Sequence, residues 1–133
     1  MEQEDYLLRM IASIGIALSR IRRMLFEGKN AEARQEIEHA AVTVGLDLNL
    51  LIGLDARSLR PFLQTGGVFD QAKCAFFAEL VYLEWQREVA AGSEHDADRC
   101  AARASLLYSL AYEGLVMDEQ TRQHAAELDR ALS

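Results

Sequence analysis

The feature that most constrains this chain is a helix–glycine–helix unit that occurs twice, 64 positions apart. Gly28 aligns with Gly92, and the acid–alanine pair Glu32–Ala33 aligns with Asp96–Ala97. Glycine ends a helix without the steric cost that a Cβ would carry in the left-handed conformation. Alanine lets a second helix pack closely on the first. The repeat therefore predicts two antiparallel helical hairpins, each with a shared apolar seam.

Apolar residues at helical spacing give the organisation of the chain. We expect one helical domain over residues 1–133, with hairpins over about 5–45 and 68–115. An irregular Leu-rich segment with a short helix spans about 46–67, and a last helix spans about 118–132. No segment shows the strict alternation of a half-buried strand. The prediction is an all-α protein with five or six helices.

Helix ends are predicted from capping residues. Asn30 is expected to cap the second helix, and Ser93, with Asp96 three residues later, has the form of a capping box. The leucine-rich run after residue 45 is interpreted as an extension of the second helix. A short helix near residues 58–64 would follow it and close at Gly66–Gly67.

The hairpin pattern, over about residues 14–44 and 78–108, resembles the tetratricopeptide repeat. That resemblance implies right-handed stacking of the hairpins and a groove that takes a peptide or a partner helix. The segments Asp5–Leu7, Arg9–Ile11 and Gly28–Ala33 are also similar to an uncharacterised bacterial family of small helical proteins. This second resemblance implies a bacterial cytosolic origin and no catalytic residues.

Charge and cysteine usage exclude several classes of partner. The net charge of -7 disfavours nucleic acid and anionic membrane surfaces, because both require a positive face. The acidic N-terminus does not fit a signal peptide, and no apolar run approaches the ~18 residues that span a bilayer. Cys74 and Cys100 are expected to be small buried hydrophobes. We therefore expect a cytoplasmic protein that binds neither nucleic acid nor membrane.

The leading functional hypothesis is a non-enzymatic module that binds a protein or peptide and is able to form a homodimer. The sequence has no catalytic motif and no cofactor signature, whereas the repeat predicts a groove between hairpins. The groove is assigned to three aromatic residues, Tyr82, Trp85 and Tyr108. Self-association is assigned to three leucines of the apolar surplus at 46–54, Leu50, Leu51 and Leu54.

Two alternatives stay open at this point. The aromatic residues could line an apolar pocket for a small molecule, or they could be ordinary core. Glu36 and His39 form one E-x-x-H pair that could bind a metal ion, with Glu79 and Glu84 as further ligands that point in different directions. A solvated polar face is the simpler interpretation of that pair, and His124 is expected at the surface. No cofactor is predicted.

Overall fold

The computed structural model of the chain describes residues 15–133, so the predicted helix start near residue 5 lies outside the described part. The protein is mostly helical (79%), and its helices pack in pairs. The α-helices are α1 (15–26 within the described part), α2 (Asn30–Val44), α3 (Leu48–Gly53), α4 (Ala56–Leu59), α5 (Gln71–Ala91), α6 (Glu94–Ala111) and α7 (Glu119–Leu132). A 3-10 helix (Arg60–Leu63) and strands β1 (Gln64–Thr65) and β2 (Val68–Phe69) connect α4 to α5.

Both predicted glycine hinges are confirmed. Gly28 and Gly92 adopt φ angles of 74° and 78°, which side chains with a Cβ rarely adopt. The residue after each glycine donates a hydrogen bond to the carbonyl five positions earlier. The Lys29 N–H reaches the Met24 carbonyl at 2.8 Å, and the equivalent bond after Gly92 is 3.1 Å long. These are the bonds of a Schellman motif, and they reverse the chain at both turns.

The long helices lie antiparallel to their neighbours. Arg20 on α1 pairs with Glu36 on α2 at 3.5 Å, at equal distances along the chain from Gly28. Across the two hairpins, the Asn30 side chain on α2 reaches the Arg87 carbonyl on α5 at 3.5 Å. The most extensive packing joins α5 to α6, and α7 packs on α6. Helix α5 therefore lies at the centre of the fold.

The small and apolar residues at helical spacing on α2 and α6 predict their inner faces, and the structure buries most of them; Val44 is only partly buried, and Leu115, predicted on the inner face of α6, lies beyond that helix and is 56% exposed. On α2 the buried residues are Ala33, Ile37, Ala40 and Ala41, and on α6 they are Ala97, Cys100, Ala101, Ala104, Leu107, Tyr108 and Ala111. Both cysteines are buried free thiols, and burial raises the pKa of each to about 12. They are packing residues, as expected.

The Leu-rich segment differs from its prediction. Helix α2 does not extend into it, because Gly45 ends the helix with a φ of 112°. Asp47 then starts α3 by accepting hydrogen bonds from the N–H groups of Asn49 and Leu50. The helix predicted near 58–64 is divided between α4 and the 3-10 helix. The described residues thus contain seven α-helices rather than five or six.

The expectation of no strand is also wrong, although on a small scale. Gln64 pairs with Phe69 and Thr65 with Val68 in an antiparallel ladder. The connecting Gly66 and Gly67 both have positive φ angles, 61° and 81°. Two such residues in succession form the tight turn that suits a hairpin. The glycine pair closes a hairpin, where we had expected the end of a helix.

Two predicted caps are not formed. Lys29 occupies the N-cap position of α2, and Asn30 is already helical, so its side chain bonds across to α5 instead. Ser93 is at the N-cap of α6, but its hydroxyl makes no capping bond. The predicted start of α7 is confirmed, because the Asp118 carboxylate accepts a hydrogen bond from the Thr121 N–H at 2.7 Å.

No helix between residues 15 and 133 is long and apolar enough to cross a membrane. The longest, α5, carries charged residues that are paired inside the fold. Most of its apolar surface is covered by the neighbouring helices of the same chain, and Trp85 and Val89 near its end stay accessible.

Candidate functional site

The structure separates the three aromatic residues assigned to a groove. Tyr82 and Tyr108 are buried, with exposed fractions of 3% and 1%. Trp85 is partly exposed. The rings of Tyr82 and Trp85 lie 5.7 Å apart, so they are neighbours that face different surroundings. Of the three residues, Trp85 lines an open surface, whereas Tyr82 and Tyr108 lie in the core, so the structure does not bring all three to one groove.

Trp85 lies in a groove of about 400 Å³ where α5 ends, α6 begins and α7 ends. We call this the Trp85 groove. Its apolar lining consists of Trp85, Val89, Ala97 and Ala131, and its polar lining consists of Ser93, Glu94 and Asp98. The side chain of Val89 is 54% exposed. The groove thus offers an accessible apolar surface beside two carboxylates.

Local sequence explains why this groove is open. Trp85 and Val89 are one turn apart on α5, so their side chains lie on one face of the helix. The Gly92 turn brings the first turn of α6 next to them. Ala97 and Ala131, the residues that face them from α6 and α7, are too small to fill the space.

A buried polar cluster fixes α7 against α5, and sequence reasoning missed it. His124 was expected at the surface, yet it is only 8% exposed. Its Nδ1 atom lies 3.2 Å from the Tyr108 hydroxyl and 3.2 Å from Oε2 of Glu79. The imidazole also stacks on the ring of Tyr82, with centroids 3.9 Å apart. Helix α7 is therefore docked through a histidine that contacts both helices of the second hairpin.

The tyrosine hydroxyls complete this cluster. Tyr82 donates a hydrogen bond to Glu127 on α7 at 2.9 Å and accepts one from Gln86 at 3.1 Å. Burial and the Glu127 carboxylate raise the pKa of Tyr82, and burial and Glu79 raise the pKa of Tyr108. Both phenols stay protonated at neutral pH and act as hydrogen-bonding groups. Because α7 carries Ala131, this cluster also positions one wall of the Trp85 groove.

A second buried polar group joins α5 to α2. Glu84 has no exposed surface, and its two oxygens contact the guanidinium groups of Arg34 and Arg87. Arg87 also contacts Glu88. Desolvation lowers the pKa of Arg87, but the bonds with Glu84 and Glu88 outweigh it and the pKa is raised. The buried carboxylate is thus compensated by fixed positive charges.

The leucines assigned to self-association do not form one exposed patch. Leu51 is fully buried, and Leu54 is partly buried against the core. Only Leu50 is open to solvent, with 48% of its surface exposed. Because α3 turns Leu48 and Leu51 inward, the apolar surplus of this segment is covered by the chain itself. Of the three leucines assigned to self-association, Leu51 therefore lies in the core of the chain and Leu50 is the most accessible.

The weak metal candidates do not gather further ligands. Glu36 pairs with Arg20 at 3.5 Å, and His39 is exposed on α2. Glu79 faces α7 whereas Glu84 faces α2, as their spacing predicted. Within residues 15–133 no group of three or more His, Cys, Asp or Glu residues has a metal-binding arrangement.

Comparisons of the chain with protein-family models, with curated proteins and with solved structures found no match. The functional conclusion therefore depends on the geometry of the chain itself. Among the predicted site residues, Trp85 is the aromatic side chain that lines an open groove of mixed chemistry.

Proposed function

We propose that the protein is a non-enzymatic interaction module whose Trp85 groove binds a basic segment of a partner protein through an apolar anchor. The observation that supports this most is the partly exposed indole of Trp85 in an open groove beside Glu94 and Asp98. Tryptophan is among the residues that contribute most to protein interfaces, because it buries a large apolar area with little loss of side-chain freedom.

The charge of the groove supports a basic partner. Glu94 and Asp98 belong to the first two turns of α6 and are exposed, and the chain carries a net charge of -7. A negative surface attracts a cationic segment and speeds its encounter. A lysine or arginine beside the anchor can pair with either carboxylate or lie over the face of Trp85.

The groove dimensions suit one side chain and its neighbours. A space of about 400 Å³ is at the lower end of ligand-binding cavities, so it accommodates an anchor residue rather than a whole domain. Helix-in-groove recognition uses such anchors at helical spacing. We infer a short amphipathic helix as the bound form of the partner.

We also propose that the two hairpins stack in the right-handed manner of tetratricopeptide repeats. The support is the identical hydrogen bonding at Gly28 and Gly92 and the antiparallel contact of α2 with α5. In such arrays, successive hairpins offer one continuous binding surface. Helix α7 would then act as the closing element of the stack.

The fluorescence of Trp85, the single tryptophan of the chain, tests this proposal directly. The probe is a synthetic amphipathic peptide of leucine and lysine, and its control has glutamate in place of every lysine. We expect a saturable blue shift with the lysine peptide, because burial removes water from the indole. The glutamate peptide should cause none. An unchanged spectrum with the lysine peptide, or equal responses to both peptides, contradicts the proposal.

A matched pair of variants tests the role of the acids. Glu94→Gln combined with Asp98→Asn should weaken binding of the lysine peptide about fivefold, because each exposed ion pair contributes up to about 1 kcal/mol. Glu113→Gln removes an exposed carboxylate beyond the opposite end of α6 and should leave the affinity unchanged. Equal affinities for both variants would show that the rim acids do not recognise the peptide.

A further inference from the structure

A second cleft, independent of the Trp85 groove, lies between α3 and α6. Its volume is about 310 Å³, and its lining includes Ile52, Gly53, Arg99, Arg103 and Leu106. The two arginines are one helical turn apart on α6, so their guanidinium groups share one face. The cleft thus combines two positive charges with an apolar lining in a chain whose net charge is negative.

Arg103 is incompletely bonded in this cleft. One of its terminal nitrogens donates to the Leu54 carbonyl, but the other, Nη1, is buried and has no hydrogen-bond partner among the described residues. Desolvation lowers the pKa of Arg103, and the charge of Asp55 does not offset it. The Asp55 carboxylate is engaged elsewhere, since it accepts the Ser58 N–H at 2.7 Å as the cap of α4. A buried guanidinium N–H without an acceptor is costly.

Arg99 supplies the second charge. Its contact with Asp96 is long, 3.9 Å, and both side chains are more than half exposed. Such a pair contributes little. Gly53 lies next to this guanidinium, since a Cβ built at that position would be in ordinary van der Waals contact with Arg99 Nη2, at 3.5 Å. Like charges four residues apart on a helix repel each other, which an anion between them would relieve.

We propose that this cleft binds an oxyanion, a carboxylate or phosphate group, between Arg99 and Arg103. Guanidinium groups present paired N–H donors that match the oxygens of both anions. Such an anion would give the unpartnered Nη1 of Arg103 an acceptor once a rotation of the side chain exposes that atom. Ile52 and Leu106 lower the local dielectric, which strengthens the charge interaction, and they contact a short apolar body attached to the anionic group.

Two probes distinguish the possible sources of the oxyanion. Inorganic phosphate and butyrate are titrated separately into the full chain, with sodium chloride at equal ionic strength as the reference. The readout is the set of arginine side-chain ¹⁵N resonances in NMR spectra. We expect saturable shifts at Arg99 and Arg103 with phosphate, butyrate or both, and none with chloride. Absence of saturable shifts at these arginines with both probes overturns the proposal.

Substitutions of the two cleft arginines test whether the probes bind in this cleft. Arg103→Met keeps the apolar stem of the side chain but removes the guanidinium group that donates to the anion. The affinity for the probe that binds should therefore fall about tenfold or more. Arg99→Gln alters a side chain that is 52% exposed, so the fold is retained even if Arg103→Met unfolds, and the affinity should fall again. Arg122→Gln is the matched control, because Arg122 is exposed and pairs with Glu119 three residues earlier. Equal weakening by Arg99→Gln and Arg122→Gln overturns the assignment.

Discussion

Helix α5 carries a glutamate on each of two flanks, one buried and one partly buried, and the two carboxylates have different partners. On the α2 flank, Glu84 contacts Arg34 and Arg87, whose charges are permanent. On the α7 flank, Glu79 contacts His124 at 3.2 Å and Arg22 at 3.5 Å. The α2 flank is therefore held by two arginines, whereas the α7 flank is held by one arginine and a histidine ring.

The two flanks of α5 hold different parts of the molecule in place. The α2 flank joins the two hairpins, so its loss would open the centre of the fold. The α7 flank holds one amphipathic helix with few buried side chains, namely Thr121, His124 and Leu128. Helix α7 carries Ala131 and forms one wall of the Trp85 groove, so the weaker flank is the one next to the proposed binding surface.

The largest effect is expected on the α2 flank. Glu84→Gln leaves Arg34 and Arg87 without their shared buried anion, and it should lower the free energy of unfolding by about 3 kcal/mol. Urea unfolding followed by circular dichroism measures this change. Glu38→Gln is the matched control, because Glu38 bonds the same Arg34 at 2.6 Å but is half exposed. Its cost should stay below about 0.5 kcal/mol. Similar costs for the two variants would remove the distinction between buried and exposed partners.

The next largest effect is a loss of folding stability at alkaline pH, which we attribute to Tyr108. The pKa of Tyr108 is raised in the folded state, so below about pH 10 the folded and unfolded states are both protonated. Above that pH the unfolded state releases a proton that the folded state retains. Stability should therefore fall as pH rises, by about 1.4 kcal/mol per pH unit for this tyrosine.

Tyr108→Phe should make the alkaline loss less steep, because the variant has no phenol to ionise at that position. Tyr112→Phe, at a partly exposed position beyond α6, is the control. Urea midpoints measured between neutral pH and pH ~11 give the slope. A slope that Tyr108→Phe leaves unchanged would contradict the tight burial of this hydroxyl.

The smallest effect is expected from the second glutamate. Glu79→Gln keeps an acceptor for the Tyr108 hydroxyl and His124 but loses the charge, so the cost should be about 1 kcal/mol. Hydrogen exchange should accelerate in α7 and stay unchanged in α2. Glu119→Gln, which breaks an exposed pair on the same helix, serves as the control. Faster exchange in α2 than in α7 would reverse the comparison of the two flanks.

The local architecture could be predicted from sequence, because glycine turns and apolar stripes act over a few residues. Gly28 and Gly92 marked both reversals, and the small residues of α2 and α6 marked the inner faces. The Leu-rich segment was harder, since an apolar run has no period that separates a long helix from two short ones. The stop at Gly45 and the cap at Asp47 decide between them.

The candidate site was predicted only in part, because side-chain partners come from distant positions. Trp85 was identified, but the burial of Tyr82 and Tyr108 depends on how α7 docks. The tyrosines could have indicated this buried polar cluster, because a tyrosine hydroxyl needs a hydrogen-bond partner when it is buried. Glu127 and His124 on the last helix are the partners of Tyr82 and Tyr108. Helical periodicity cannot show which two helices will face each other.

The most direct test of the account follows backbone amides and the Trp85 indole N–H by NMR while the leucine–lysine peptide is titrated. We predict saturable shifts that cluster around the Trp85 groove, at the end of α5, the start of α6 and the end of α7. Residues of the β1–β2 hairpin, at the far end of α5, should not respond. Shifts confined to that hairpin, or no saturable shift at Trp85, would contradict the assignment of the groove.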